Sequence, residues 1–291
     1  TVSHDSTVRV WNLETGTLRL VLEGHERSIY AVAITPDGKY IATGSLDATV
    51  RIWDLQTGEP LNVMKGHKAM VSGLAFTPDG TRLVTGSADN TVRIWNLQTG
   101  ESLKVIKGHK AKVSSLAITP DGTRIVTGSA DNTVRIWNLQ TGQLLSVLKG
   151  HQDSVSSVAV SPDGTRIGTG SYDKTARIWD LKTGKLRQVL KGHQSRLYTV
   201  AFAPDGTHLF TGSRDKTVRI WNLETNALRR NLIQDERVFV SAFTPDGKSV
   251  LFAQAAVAYL QNLKTGQLTQ TFEGHEGAIY AAAITPDGKY G

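Results

Sequence analysis

Three residue types that together can perform nucleophilic chemistry recur along this chain at fixed distances. A histidine is followed 18 residues later by a threonine and 22 residues later by an aspartate. The sets are His25, Thr43 and Asp47; His67, Thr85 and Asp89; His109, Thr127 and Asp131; His151, Thr169 and Asp173; and His193, Thr211 and Asp215. A hydroxyl, an imidazole and a carboxylate within reach of one another are the parts of a triad. Each set, however, is joined by a tryptophan six residues after the aspartate: Trp53, Trp95, Trp137, Trp179 and Trp221. A sixth histidine, His275, has matching partners only at the other end of the chain, in Thr1, Asp5 and Trp11. One catalytic centre has no reason to occur six times in one chain.

The elements that carry these residues are copies of one module. Gly-His pairs stand at Gly24-His25, Gly66-His67, Gly108-His109, Gly150-His151, Gly192-His193 and Gly274-His275, the first five 42 residues apart. Self-similarity at this period means one supersecondary unit repeated. In the copy starting at Gly108, VSSLAITP (Val113 to Pro120) reads as strand a and TRIVTGS (Thr123 to Ser129) as strand b. TVRIWNL (Thr133 to Leu139) reads as strand c, and the run from Leu144 to Lys149 as strand d. Pro120-Asp121-Gly122, Ala130-Asp131-Asn132 and Gln140-Thr141-Gly142 supply turn chemistry between them. No stretch has helical periodicity. Four short antiparallel strands make a sheet that cannot bury both faces alone. Sheets stacked around an axis can, so an all-β propeller is expected.

Composition agrees. The 291 residues are 39% hydrophobic, with 28 Gly and 8 Pro, as many tight turns require. No apolar run of about 18 residues predicts a transmembrane helix. Cysteine is absent, which removes disulfides and thiolate metal sites. No signal peptide is evident, Thr1 leaves open a lost leader, and the expected location is cytoplasmic. The formal charge of +7 could suit nucleic acid. But one arginine precedes every tryptophan by two residues (Arg9, Arg51, Arg93, Arg135, Arg177 and Arg219). That spreads the charge around the repeat, so nucleic acid is not the expected partner.

With Gly-His near its start and Trp53-Asp54 or Trp179-Asp180 near its end, the module resembles a WD40 repeat; the other copies carry Trp-Asn. The resemblance covers essentially the whole chain, residues 1–291, read as a single domain. It implies a seven-bladed β-propeller with four antiparallel strands per blade. Five blades are intact and a degenerate one spans about 233–273. The last is formed by 274–291 together with 1–23, so that strands from both ends close the ring. Strand a comes from 274–291, and the end of strand b with strands c and d from 1–23, so the cut is expected to fall within a hairpin. In proteins similar to this one the His, Thr, Asp and Trp form a buried network: the Asp accepts from the His, and the Thr links the His to the indole. Such groups each need a partner when buried. Hence no catalytic residue, no metal ligand and no cofactor is expected. Two histidines, His4 and His208, stand outside the pattern. In the degenerate module Gln234 replaces the His and Gln261 the Trp, the turn Asp is missing, and an irregular blade is expected.

What does not repeat is where specificity can reside. In similar proteins three positions per blade project at the channel mouth: three and five residues after the His, and the one before the turn Asp. The position five after the His carries Tyr30, Ser72, Ser114, Ser156, Tyr198, Phe239 and Tyr280. The position three after it carries Ser28, Met70, Lys112, Ser154, Arg196, Arg237 and Ala278. Before the Asp stand His4, Leu46, Ala88, Ala130, Tyr172 and Arg214. One arc thus combines Tyr198, Phe239, Tyr280 and Tyr30 with Arg196, Arg214 and Arg237. Aromatic residues plus arginine make binding hot spots, and arginine suits carboxylates and phosphates. The expectation is a monomeric, noncatalytic interaction scaffold that binds an acidic or phosphorylated peptide or protein here. The plain alternative is that the rings plug the channel. The near-identity of neighbouring modules also resembles prokaryotic WD40 chains, where propellers are appended to kinase or nucleotide-hydrolase domains, so a regulatory or sensor domain is the second reading. A propeller-platform hydrolase is the third.

Overall fold

In the module that begins at Gly108, the strands are Val113–Ile118, Arg124–Ser129, Val134–Asn138 and Leu144–Leu148, paired antiparallel in chain order. The same four-stranded sheet occurs seven times in the computed structural model, which describes residues 1–233 and 237–291. The first strands of neighbouring sheets touch one another and enclose a central channel. The sheets are therefore blades of a ring. Blades 1 to 5 start at Gly24, Gly66, Gly108, Gly150 and Gly192; blade 6 is the divergent one and blade 7 the one that joins the ends.

Both faces of each third strand are buried, because each face meets a different blade. In blade 3, Trp137 packs with Val84, Ile94 and Ile106 of blade 2, whereas Val134 and Ile136 pack with Val158, Ile167 and Trp179 of blade 4. Seven such inter-blade cores run around the ring. Apolar burial at roughly 25 cal/mol per Å² makes these interfaces the main source of stability.

Closure of the ring uses both ends of the chain. Ile279–Ala281, Val2–Ser3, Val8–Trp11 and Leu18–Leu22 lie side by side in that order. The division is finer than a hairpin cut. The Trp11 N–H donates to Gly291 O at 2.9 Å and the Arg9 N–H to Thr1 O at 2.9 Å. Tyr290 also bridges Asn12. The second strand of this blade is therefore itself shared, its beginning from the C-terminal residues and its end from the N-terminal ones.

The divergent blade keeps four strands: Val240–Phe243, Ser249–Gln254, Val257–Asn262 and Leu268–Phe272. Phe252 and Tyr259 occupy the register positions held elsewhere by Thr and Arg, and their rings stack at 5.5 Å. An apolar stack replaces a polar network. Gln261 is buried; its Nε2 donates to Gly266 O at 2.8 Å while its Oε1 has no partner. Gln234 lies outside the described residues.

Candidate functional site

The recurring His, Thr, Asp and Trp come together in six blades with one geometry. His Nδ1 lies 2.7–2.9 Å from the Asp carboxylate. His Nε2 lies 2.7–2.8 Å from the Thr hydroxyl, and 3.1 Å in the closing blade. The indole N–H donates to the same hydroxyl at 2.9–3.0 Å. The donors order themselves: indole N–H to Thr Oγ1, Thr O–H to His Nε2, His Nδ1–H to Asp. This matches the polarity of a catalytic triad. The hydroxyl cannot be used as one, because each of Thr43, Thr85, Thr127, Thr169 and Thr211 is 0% exposed and its oxygen already accepts the indole. Burial pulls His67, His109 and His193 below the usual imidazole value despite the neighbouring Asp, and Arg93, Arg135 and Arg219 add to that pull. His208, isolated in sequence, is bonded in space: it meets Thr207 at 2.7 Å and accepts from Arg229 at 2.9 Å.

The glycine before each histidine closes the network. At Gly150, φ is +154°, and a Cβ there would collide with Arg177 Nη1 and lie 3.3 Å from the Trp179 ring. The arginine itself lies over the tryptophan, its guanidinium carbon 6.0 Å from the ring centre. Gly150→Ala is therefore expected to cost about 2 kcal/mol, from backbone strain plus displacement of Arg177. Chemical denaturation of the variant checks this; an unchanged midpoint would refute it.

The channel mouth is built by a backbone irregularity. In blades 1 to 5 and in the closing blade the pairing of the first two strands slips by one residue after the position four beyond the His. The extra residue is Tyr30, Ser72, Ser114, Ser156, Tyr198 or Tyr280. A bulge leaves its residue out of the ladder and re-aims its side chain, here into the channel. The two other projecting positions are tied together. The N–H of the residue before the turn Asp donates to the carbonyl three beyond the His, as in Arg214 N–H to Arg196 O and Tyr172 N–H to Ser154 O, both 2.9 Å.

The four aromatic residues read from sequence are brought into contact, and a fifth extends them. Tyr172 meets Tyr198 edge-on at 6.0 Å, Tyr198 stacks on Phe239 at 4.8 Å, Phe239 meets Tyr280 at 6.2 Å, and Tyr280 stacks on Tyr30 at 4.4 Å. Burial pushes the Tyr172 and Tyr30 phenols up. Arg196 lies over the Tyr172 ring at 4.7 Å. Arg196, Arg214 and Arg237 are exposed and stand outside the cavity behind the ladder, which has a volume of about 610 Å³. Among the described residues the one cation lining that cavity is Lys112, and burial pulls its ammonium below the usual value. Lys112 and Tyr172 are the residues missed by an arc read from blades 5, 6, 7 and 1 alone. Both stand at the projecting positions, so weighing every blade equally would have found them.

Comparison with known proteins places the chain. The WD40 family model (WD domain, G-beta repeat) matches residues 16–54, 58–96, 100–138, 142–180, 184–222 and 266–290. The span between the last two, 223–265, holds the first three strands of the divergent blade. Coronin-7 of Mus musculus is 54% identical over 41 residues, 14% of this chain and 4% of that protein. The F-box-like/WD repeat-containing protein TBL1Y of Homo sapiens is 50% identical over 38 residues, 13% of this chain and 7% of that protein. The small ribosomal subunit protein RACK1y of Oryza sativa subsp. japonica is 50% identical over 42 residues, 14% of this chain and 12% of that protein. Each match thus spans about one module and a small part of the relative's length. The family matches and the seven four-stranded blades together show that the chain belongs to the WD40-repeat β-propeller family.

Proposed function

We propose that this chain is a noncatalytic scaffold that binds an acidic or phosphorylated peptide or protein across the channel mouth. The observation that carries the reading is the continuous ladder from Tyr172 to Tyr30, flanked by Arg196, Arg214 and Arg237. None of the described residues at the three projecting positions of any blade is acidic. A pre-stacked aromatic surface loses little freedom on binding, and arginines beside it select carboxylate or phosphate over other groups. The six His, Thr and Asp sets are sealed inside blades, which supports a binding role over a hydrolytic one. WD40 propellers are typical of interaction scaffolds, and the proposal gives this one its face.

The test is binding to an array of peptides that differ only in acidic or phosphorylated positions, followed by the same measurement on a double variant. Arg196→Glu with Phe239→Ala is expected to weaken the preferred peptide at least tenfold, about 1.4 kcal/mol. Equal affinity for the variant, or no preference for acidic over neutral peptides, would retire the reading.

A further inference from the structure

The cavity behind the mouth has two unlike walls. One is the aromatic ladder. The other is built from the small first-strand residues of blades 2, 3 and 4. There Ser72 Oγ donates to Val113 O at 2.6 Å and Ser156 Oγ to Leu197 O at 2.7 Å. Ser115 and Ser157 accept the N–H groups of Val158 and Val200 at 3.2 and 3.1 Å. These hydroxyls are spent on joining one blade to the next. Ser72 and Ser156 thus have no proton left to donate to a ligand.

Lys112 stands on that wall, beside Ser114, Ala130 and Ser154. Its backbone carbonyl is fixed by Ala130 N–H at 2.9 Å, but no carboxylate among the described residues pairs with its amine. The other lysine ion pairs in the structure lie elsewhere, within Pro-Asp-Gly turns such as Asp37 with Lys39. An ammonium drawn partly out of water without a counter-ion is costly, and an anion beside it relieves that cost. The ring wall begins one blade away, with Tyr172, whose outer face is already covered by Arg196.

We propose that the channel is a separate binding site for a small flat anion, an aryl phosphate or aryl carboxylate, with its ring against Tyr172 and Tyr198 and its charged group on the Lys112 amine. The site shares the aromatic ladder with the partner reading but goes beyond it, since Lys112 belongs neither to the ladder nor to its flanking arginines. The cavity of about 610 Å³ admits a fused two-ring body. Aromatic faces bind such a body without demanding a particular substituent pattern.

Calorimetric titration of the full chain with 1-naphthyl phosphate, inorganic phosphate and 2-naphthalenemethanol tests this. Naphthyl phosphate is expected to bind at least tenfold more tightly than either partial ligand. Lys112→Met should weaken it at least tenfold, Lys112→Arg should restore most of the loss, and Arg237→Glu should change it less than twofold. Naphthyl phosphate should also protect Lys112 from acetylation in the unmodified chain, read by peptide mass spectrometry, which does not depend on any variant folding. Binding unchanged in Lys112→Met, equal binding of inorganic phosphate, or an unprotected Lys112 each overturns the proposal. The peptide measurement uses a different ligand, and Lys112→Met leaves Arg196 and Phe239 in place, so peptide affinity kept while naphthyl phosphate binding is lost, or the reverse, shows the two readings failing separately.

Discussion

Asp131→Ala will lower the stability of the ring by about 3 kcal/mol, seen as a drop of roughly 6 °C in the melting temperature. The carboxylate accepts four hydrogen bonds: from His109 Nδ1 at 2.8 Å, Lys110 N–H at 2.9 Å, Thr133 N–H at 3.0 Å and the Thr133 hydroxyl at 2.6 Å. Alanine leaves all four donors in place and removes their acceptor. Behind His109 the chain of donors then loses its direction, because an imidazole without the Asp no longer has a reason to present Nε2 as the acceptor for Thr127. A buried donor left unpaired costs about 1–3 kcal/mol. The divergent blade provides the contrast. There Phe252 replaces the Thr and packs against Tyr259, which stands at the Arg position, and the blade still forms. Removing one partner should therefore cost far more than exchanging the set for apolar residues that fill the same space. Differential scanning calorimetry of the single variant decides it; a melting temperature within 1 °C of the unmodified chain would show that the network contributes nothing.

The ring was legible in the sequence because one module repeats and because its turns are spelled out. Pro120-Asp121-Gly122 and Asn132 mark chain reversals by chemistry that tertiary contacts do not override: Gly122 sits at φ +67° and Asn132 at +66°. Strand ends differ from the expected ones by one or two residues, since Thr119, Pro120 and Leu139 turn away before the ladder ends. The bulge was not legible. Ser114 looks like any other residue of an alternating strand, and only the slipped pairing of Val113 and Ser115 reveals that it is the extra one. The split strand of the closing blade was legible at one end only, as the end of strand b after Thr1. Tyr290 and Gly291 carry no strand signal, and their pairing with Asn12 and Trp11 depends on the ring being closed. The site was half legible. Residue type and repeat position brought out Tyr30, Tyr198, Phe239 and Tyr280. Which cation faces the cavity depended on side-chain direction, which spacing does not encode, so the exposed arginines were read in place of Lys112.

Acid will weaken this fold well before its aspartates are neutralised. Two families of groups act in the same direction, in two windows. His67, His109 and His193 have folded values below 6.5, so the unfolded chain takes up their protons first. The stability that they confer is complete above pH 6.5 and is lost as pH falls below it, by about 1.4 kcal/mol per pH unit for each histidine that only the unfolded chain protonates. The second window belongs to the carboxylates. Burial pushes Asp131 and Asp89 up, but hydrogen bonds from Thr133 or Thr91, from the Lys110 or Lys68 N–H, and from the paired histidine outweigh it and hold both at about 2. Asp47 and Asp173 are lowered further by their histidine and threonine partners. Their contribution is present above 3.8 and is lost as pH falls from there through the folded values. Thermal melts should therefore show one fall between pH 7.5 and pH 5, from the histidines, and a second, steeper fall below pH 4. A repeat fold whose networks act in parallel should show both steps in one cooperative transition. Melting temperatures that stay level from pH 7.5 to pH 5 would mean that the imidazoles are not buried neutral, and the donor order from indole to carboxylate would have to be abandoned with them.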